Sequence, residues 1–145
     1  QDLRTLPRGD EYASAEGVAR GGYVLKEASA DPAIILIASG SEVELALGAA
    51  ARLESQGTPT RVVSMPCMEW FDEQDDEYRE SVLPAAVKAR VSIEAGIAMG
   101  WAKYVGAQGA SVSIERFGAS AAGSKCFEEF GFTVDNVVEV AQSVL

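Results

Sequence analysis

Chemistry in a protein needs groups that bind, take up protons or attack, and this chain offers few. It has no histidine, so it lacks the commonest general base and the commonest metal ligand. A Ser-His-Asp or Cys-His site built within the chain is excluded. The most site-like feature is the turn Ser39-Gly40-Ser41, placed between an aliphatic run and a helical pattern. In open α/β sheets ligands bind at the carboxyl ends of strands, and a helix N-terminus offers free N–H groups to an anion. Ser39, Gly40 and Ser41 are therefore the candidate anion or regulatory pocket. Against this, the G-x-G-x-x-G fingerprint is absent, and Glu42 and Glu44 in the first turn repel a phosphate. The ordinary reading is a capped turn in which glycine permits a tight bend.

Other groups have plainer readings. Glu69, Asp72, Glu73, Asp75, Asp76, Glu77 and Glu80 face only Arg79, and supply six of the ten net negative charges. Their spacing does not match an EF-hand loop, and they read as a solvated helical face. Glu128 and Glu129 are neighbours on a helical pattern and point apart. Glu94 ends a strand beside Gly96, where α/β enzymes often place working residues; its plain role is to cap, or to pair with a base at the sheet edge. Cys67 and Cys126 sit in no CxxC or Cys/His pattern and read as free thiols in a cytoplasmic protein. Trp70 with Phe71, and Trp101 with Tyr104, read as core or interface anchors.

The composition bounds the rest. At 145 residues the chain is one domain by size, able to bury about 68–70% of its unfolded surface. The net charge of −10 argues against nucleic acid and anionic membranes as partners. The longest apolar run, Ala33–Ala38, is far short of the roughly 20 residues a membrane span needs.

The elements that would position these groups alternate. Residues 1–20 are polar, broken by Pro7 and Gly9, and read as a linker or arm; 21–145 form the domain. A short strand follows Gly21-Gly22. AIILIA (33–38) is bounded by turn residues and suits a strand buried on both faces. Residues 40–57 form an amphipathic helix, with Ser41 and Glu44 as an S-x-x-E capping box and Gly57 at its end. RVVSM (61–65), VSIEAG (91–96) and SVSIE (111–115) are further strands, with helical segments within 72–90 and at 98–105. Gly123–Phe130 is helical, and Thr133 caps a last helix over 134–145. The pattern predicts an α/β fold: a three-layer α/β/α sandwich around a mostly parallel, five-stranded sheet.

Several strings are more specific than this pattern. ARGGYVLKE, IASGSEVELA, RVVSMPCMEWFDEQ (61–74), YRESVLP (78–84), ARVSIEAG (89–96) and FEEFGFTVDNVV (127–138) together resemble the C-terminal domain of transketolases, over residues 18–145. The resemblance implies a Rossmann-like domain whose first strand, 22–25, runs antiparallel to the rest. It implies a parent enzyme that moves a two-carbon ketol unit from a ketose phosphate to an aldose phosphate in the pentose phosphate pathway. Thiamine diphosphate and magnesium or calcium would be bound by two other domains, at a homodimer interface. The diphosphate-binding GDG motif is absent here, and the family's catalytic histidines lie elsewhere. The chain is thus expected to supply no catalytic, cofactor-binding or metal-binding residue. Its partners would be the other two domains and a second subunit, with sugar phosphates bound by the parent.

The family's phosphate-gripping arginine would immediately precede Gln1-Asp2-Leu3. The expectation is a fragment released at an exposed linker, or a piece cut there by design. One departure is Phe117-Gly118-Ala119-Ser120-Ala121-Ala122, where the family has F-G-x-S-A-P; losing the proline loosens that loop. Two rivals remain. One is a stand-alone nucleotide- or phosphate-binding module. The other is the equivalent domain of a 2-oxo acid dehydrogenase beta subunit, against which YRESVLP and FTVDNV count.

Overall fold

The computed structural model describes residues 3–145; the Gln1-Asp2 start lies outside them. The described residues form a sheet of five strands: β1 (Tyr23–Lys26), β2 (Ile34–Ala38), β3 (Thr60–Ser64), β4 (Arg90–Ile93) and β5 (Ala110–Val112). The spatial order is β1-β3-β2-β4-β5. β1 pairs antiparallel with β3, as the resemblance implied, and the other pairings are parallel.

The aliphatic run forms the central strand because no position on it faces water. All five residues of β2 are buried. Ile34, Leu36 and Ala38 point into one apolar layer, and Ile35 and Ile37 into the other. Each of the isoleucine and leucine side chains contributes about 1.5–3 kcal/mol on burial. Val62 and Val63 on β3 divide between the layers in the same way.

The first layer is covered by α1 (Glu42–Ser55) and α6 (Val134–Ser143), which pack on each other. Gly48 lets them approach closely, since a Cβ there would lie 2.9 Å from Val134 Cγ2. The second layer is covered by α2 (Met68–Asp72), α3 (Asp76–Val82), a 3-10 turn at Ala98–Trp101 and α4 (Ala102–Val105). Phe71, Val82, Trp101 and Tyr104 are buried there. α5 (Gly123–Glu129) precedes α6. The result is the three-layer α/β/α sandwich that the alternation predicts.

Local expectations divide. Thr133 caps α6 by accepting the Asn136 N–H at 3.2 Å. The capping box at Ser41 does not form. Gly40 turns the chain at φ +53°, so Ser41 is already helical and its hydroxyl donates to Glu42 Oε2 at 3.0 Å. A capping side chain needs extended backbone to reach back to the helix amides, and Ser41 lacks it. The segment before β1 also does more than link. It holds a 3-10 helix at Ala15–Arg20, Tyr12 is buried, and the Ala13 N–H donates to the Leu25 carbonyl. The strand expected over 111–115 is confined to Ala110–Val112.

Candidate functional site: the carboxyl edge of the sheet

From β2 the chain crosses by α1 to β3 on one side, and later returns to lay β4 on the other. The space above the carboxyl ends of β2 and β4 is therefore the topological switch point, where open α/β sheets place ligands. Ser39 follows β2 and Glu94 follows β4; their predecessors Ala38 and Ile93 are register partners.

The Gly40 turn separates two hollows. One, of about 430 Å³, lies toward the N-terminal arm and includes Gly40, Ser41, Arg4, Arg8 and Glu44 in its lining. Arg8 is already engaged, donating to the Ala13 carbonyl and to the Tyr23 hydroxyl. The other, of about 410 Å³, opens above β2, β3 and β4 and includes Ser39, Cys67, Met68, Glu69, Glu94 and Ile97 in its lining. The three residues of the predicted pocket thus divide, with Ser39 in the second hollow and Gly40 and Ser41 in the first.

The second hollow is acidic. No lysine or arginine is among its lining residues. Burial, and next the nearby Glu42 carboxylate, hold the Glu94 carboxyl above the usual carboxylate range. Glu42 is itself 5% exposed and accepts from the Ser41 hydroxyl. Among the described residues no ion pair uses Glu42, Glu69 or Glu94. Of the two plain roles read for Glu94, to cap or to pair with a base, the described ion pairs do not include the second. In the sequence Glu42 reads only as a first-turn carboxylate that favours the helix dipole and repels a phosphate. Its company with Glu94 depends on β2 and β4 being neighbours, which no local pattern states.

The acidic run beyond β3 has structural work. Asp75 caps α3, its Oδ1 accepting the Tyr78 N–H at 2.8 Å. Asp72 accepts from the Tyr104 hydroxyl at 3.0 Å and pairs with Lys103. Asp76 pairs with Arg79, and Glu80 accepts the Ala85 N–H. Among the described residues no three His, Cys, Asp or Glu side chains are grouped to hold a metal ion. Glu128 and Glu129 are exposed, and both cysteines are free thiols. The aromatic pairs separate: Trp101, Tyr104 and Phe71 are buried, whereas Trp70 is 51% exposed. Among the described residues no helix is long and apolar enough to cross a membrane.

The acidic hollow does not fit thiamine diphosphate with its metal. The acidic hollow carries carboxylates where a diphosphate needs donors and cations. The metal lacks a ligand group among the described residues.

Comparison with known proteins gives consistent matches. The family described as the transketolase-like TK C-terminal domain matches residues 21–133. Transketolase 1 of Escherichia coli (strain K12) is 54% identical over 145 residues, all of this chain and 22% of that protein. The solved transketolase of Leishmania mexicana is 46% identical over 90% of this chain and 19% of its own, with a TM-score of 0.80. A Pichia stipitis transketolase solved with sedoheptulose-7-phosphate is 40% identical over 92% of this chain and 19% of its own, with a TM-score of 0.82. The chain thus spans about a fifth of the length of the curated relatives it matches. From the shared strings, the sheet order and these matches, the chain belongs to the transketolase C-terminal domain family.

Proposed function

We propose that the chain works as the C-terminal, non-catalytic domain of a transketolase, supporting the enzyme's architecture and its homodimer. The parent would transfer a two-carbon ketol group from a ketose phosphate to an aldose phosphate in the pentose phosphate pathway, in the cytoplasm. The observation that carries this is the match of all 145 residues to 22% of a transketolase, in a chain with no histidine. Thiamine diphosphate and its magnesium or calcium ion would be held by the other two domains. When bound there, they supply the carbanion chemistry of ketol transfer.

Assays with a ketose phosphate donor and an aldose phosphate acceptor test this, with thiamine diphosphate and magnesium added. The 145-residue chain should show no turnover, and an enzyme of the relatives' full length that carries this domain should be active. Turnover by the chain alone would overturn the non-catalytic reading; an inactive full-length enzyme would overturn the parent activity.

A second reading concerns Ser39, Gly40 and Ser41 as an anion-binding, regulatory turn. It is favoured by Arg4 and Arg8, which share the first hollow with Gly40 and Ser41. Calorimetric titration with inorganic phosphate tests it. Micromolar binding that disappears in Gly40→Val supports the turn as a site, and absence of heat removes it.

A further inference from the structure

We propose that residues 8–20 are a strap that seals the lateral β1 edge of the sheet against pairing with a second copy of this chain. Such sealing is a property of the domain by itself, independent of the parent's activity.

The sheet has two lateral edges, β1 and β5. An edge strand offers unpaired N–H and C=O groups to any other strand, and native proteins blunt it by shortness, bulges, charges or a covering segment. β5 is short, three residues at Ala110–Val112. β1 has four residues, with Tyr23 and Leu25 buried, and its register with β3 shifts between Val24 and Lys26. Leu25 falls in that shift, has no register partner on β3 and is 1% exposed. Its carbonyl needs a donor, because a buried backbone group without one is costly. The Ala13 N–H supplies it at 2.9 Å.

The rest of the arm is fastened around that bond. Tyr12 is buried in the same apolar layer as Tyr23 and Leu25. Glu11 pairs with Lys26 at 2.9 Å, and the Lys26 ammonium lies 5.5 Å from the centre of the Tyr12 ring. Arg8 donates to the Ala13 carbonyl at 2.9 Å and to the Tyr23 hydroxyl at 3.2 Å, so residues 8–13 close on themselves and on the strand. Gly17, in the 3-10 helix, lies so close to the Tyr23 ring that a Cβ there would collide with it. Beyond it, the Arg20 guanidinium lies 4.4 Å from the centre of the Tyr78 ring. Arg8, Glu11, Tyr12, Ala13 and Gly17 thus all bear on β1 itself, which a segment that merely leads elsewhere does not require.

Release of the strap would bare the Leu25 carbonyl together with the Tyr23 and Leu25 side chains. A free backbone acceptor beside apolar side chains is what an added strand takes. The net charge of −10 keeps copies of the chain apart in general, so association gained on release would come from the bared edge.

Hydrogen exchange and sedimentation velocity on the 145-residue chain test this. The Ala13 amide should exchange at least about a hundredfold more slowly than in an open peptide; exchange at the open rate overturns the strap. Two variants release it: Ala13→Pro, which removes the donor to Leu25, and Gly17→Val, which drives a side chain into the Tyr23 ring. Each should self-associate at least about tenfold more tightly than the parent chain, with the β2 amides as protected as before and with amine crosslinks joining Lys26 of one copy to Lys26 of another. Where either variant also loosens β2, Glu11→Lys decides, since it repels Lys26 from an exposed position. Unchanged self-association in a folded variant overturns the sealing role. Association whose crosslinks avoid Lys26 uses another surface and overturns it equally.

Discussion

Strand β4 carries a charge near each end, and the two are treated in opposite ways. At its amino end the Arg90 guanidinium donates to the carbonyls of Val87, Tyr104, Leu83 and Pro84, at 2.8–3.0 Å. Those carbonyls end α3 and α4 or follow them, so one side chain ties both crossover connections to the sheet. Just past its carboxyl end, Glu94 has a like charge for company and no cation. The domain closes its amino edge with its own chain and leaves its carboxyl edge open. The same edge exposes Ile97 and Met99. The two ends of the sheet are thus treated differently, one closed and one open.

The comparison can be broken by substitution, and Leu36→Ala sets the scale. Leu36 is fully buried in the sheet's interior, and its truncation should cost about 4 kcal/mol in urea denaturation. Met99→Ala, on the open edge, should change stability by no more than about 0.5 kcal/mol. A large loss there would mean that the edge is packed in the isolated domain. Arg90→Met comes next. It deprives four carbonyls of a charged donor and should cost about 2–3 kcal/mol by the same measurement. A near-neutral result would show that water replaces the guanidinium, and the contrast between the strand's ends would fade.

The caps give a smaller contrast. Thr133→Ala removes a cap that is present and should cost about 1 kcal/mol, whereas Ser41→Ala, made in a Glu42→Ala background that already lacks the hydroxyl's partner, removes none and should stay within about 0.3 kcal/mol. Equal losses in thermal denaturation would show that Ser41 caps in solution.

The pH dependence of Glu94 is the finest probe. Its carboxyl is raised in the folded state, by burial first and by Glu42 second. The folded state therefore holds the proton more tightly, and stability falls as pH rises from the unfolded value through the folded one. Glu94→Gln should stabilise the chain at pH 7, and this gain should vanish below the usual carboxylate range of about pH 4. Glu54 has the opposite sign. The Ser29 hydroxyl, with the Thr60 and Ser29 amides, lowers its carboxyl. Its contribution is present above the unfolded value and lost as pH falls through the folded one. Glu54→Gln should therefore destabilise at pH 7, with the difference shrinking on acidification. Denaturation curves across this range distinguish the two slopes, and a common slope would remove the contrast.

Much of the architecture was legible because the signals are local. A run of aliphatic residues between Pro32 and Gly40 has no polar face, so it can only be a buried strand. Thr133 before an apolar 3–4 repeat is a cap with a physical purpose. The failures are equally instructive. Ser41 has the right side chain for a cap, but the positive φ of Gly40 places its backbone inside the helix. Tyr12 lies in a polar stretch, and its burial comes from docking beside β1. Trp70 and Trp101 look alike in sequence, and only packing buries one and exposes the other.

The sequence by itself determined the alternation of strands and helices, the strand buried on both faces and the family. Each of these depends on residue type and short-range spacing. Only the tertiary structure decided which residues share the carboxyl edge. Placing β4 beside β2 brings Glu94 into the company of Glu42, 52 positions earlier in the sequence. That order follows from how the whole sheet covers its apolar faces, and no stretch of sequence carries it alone.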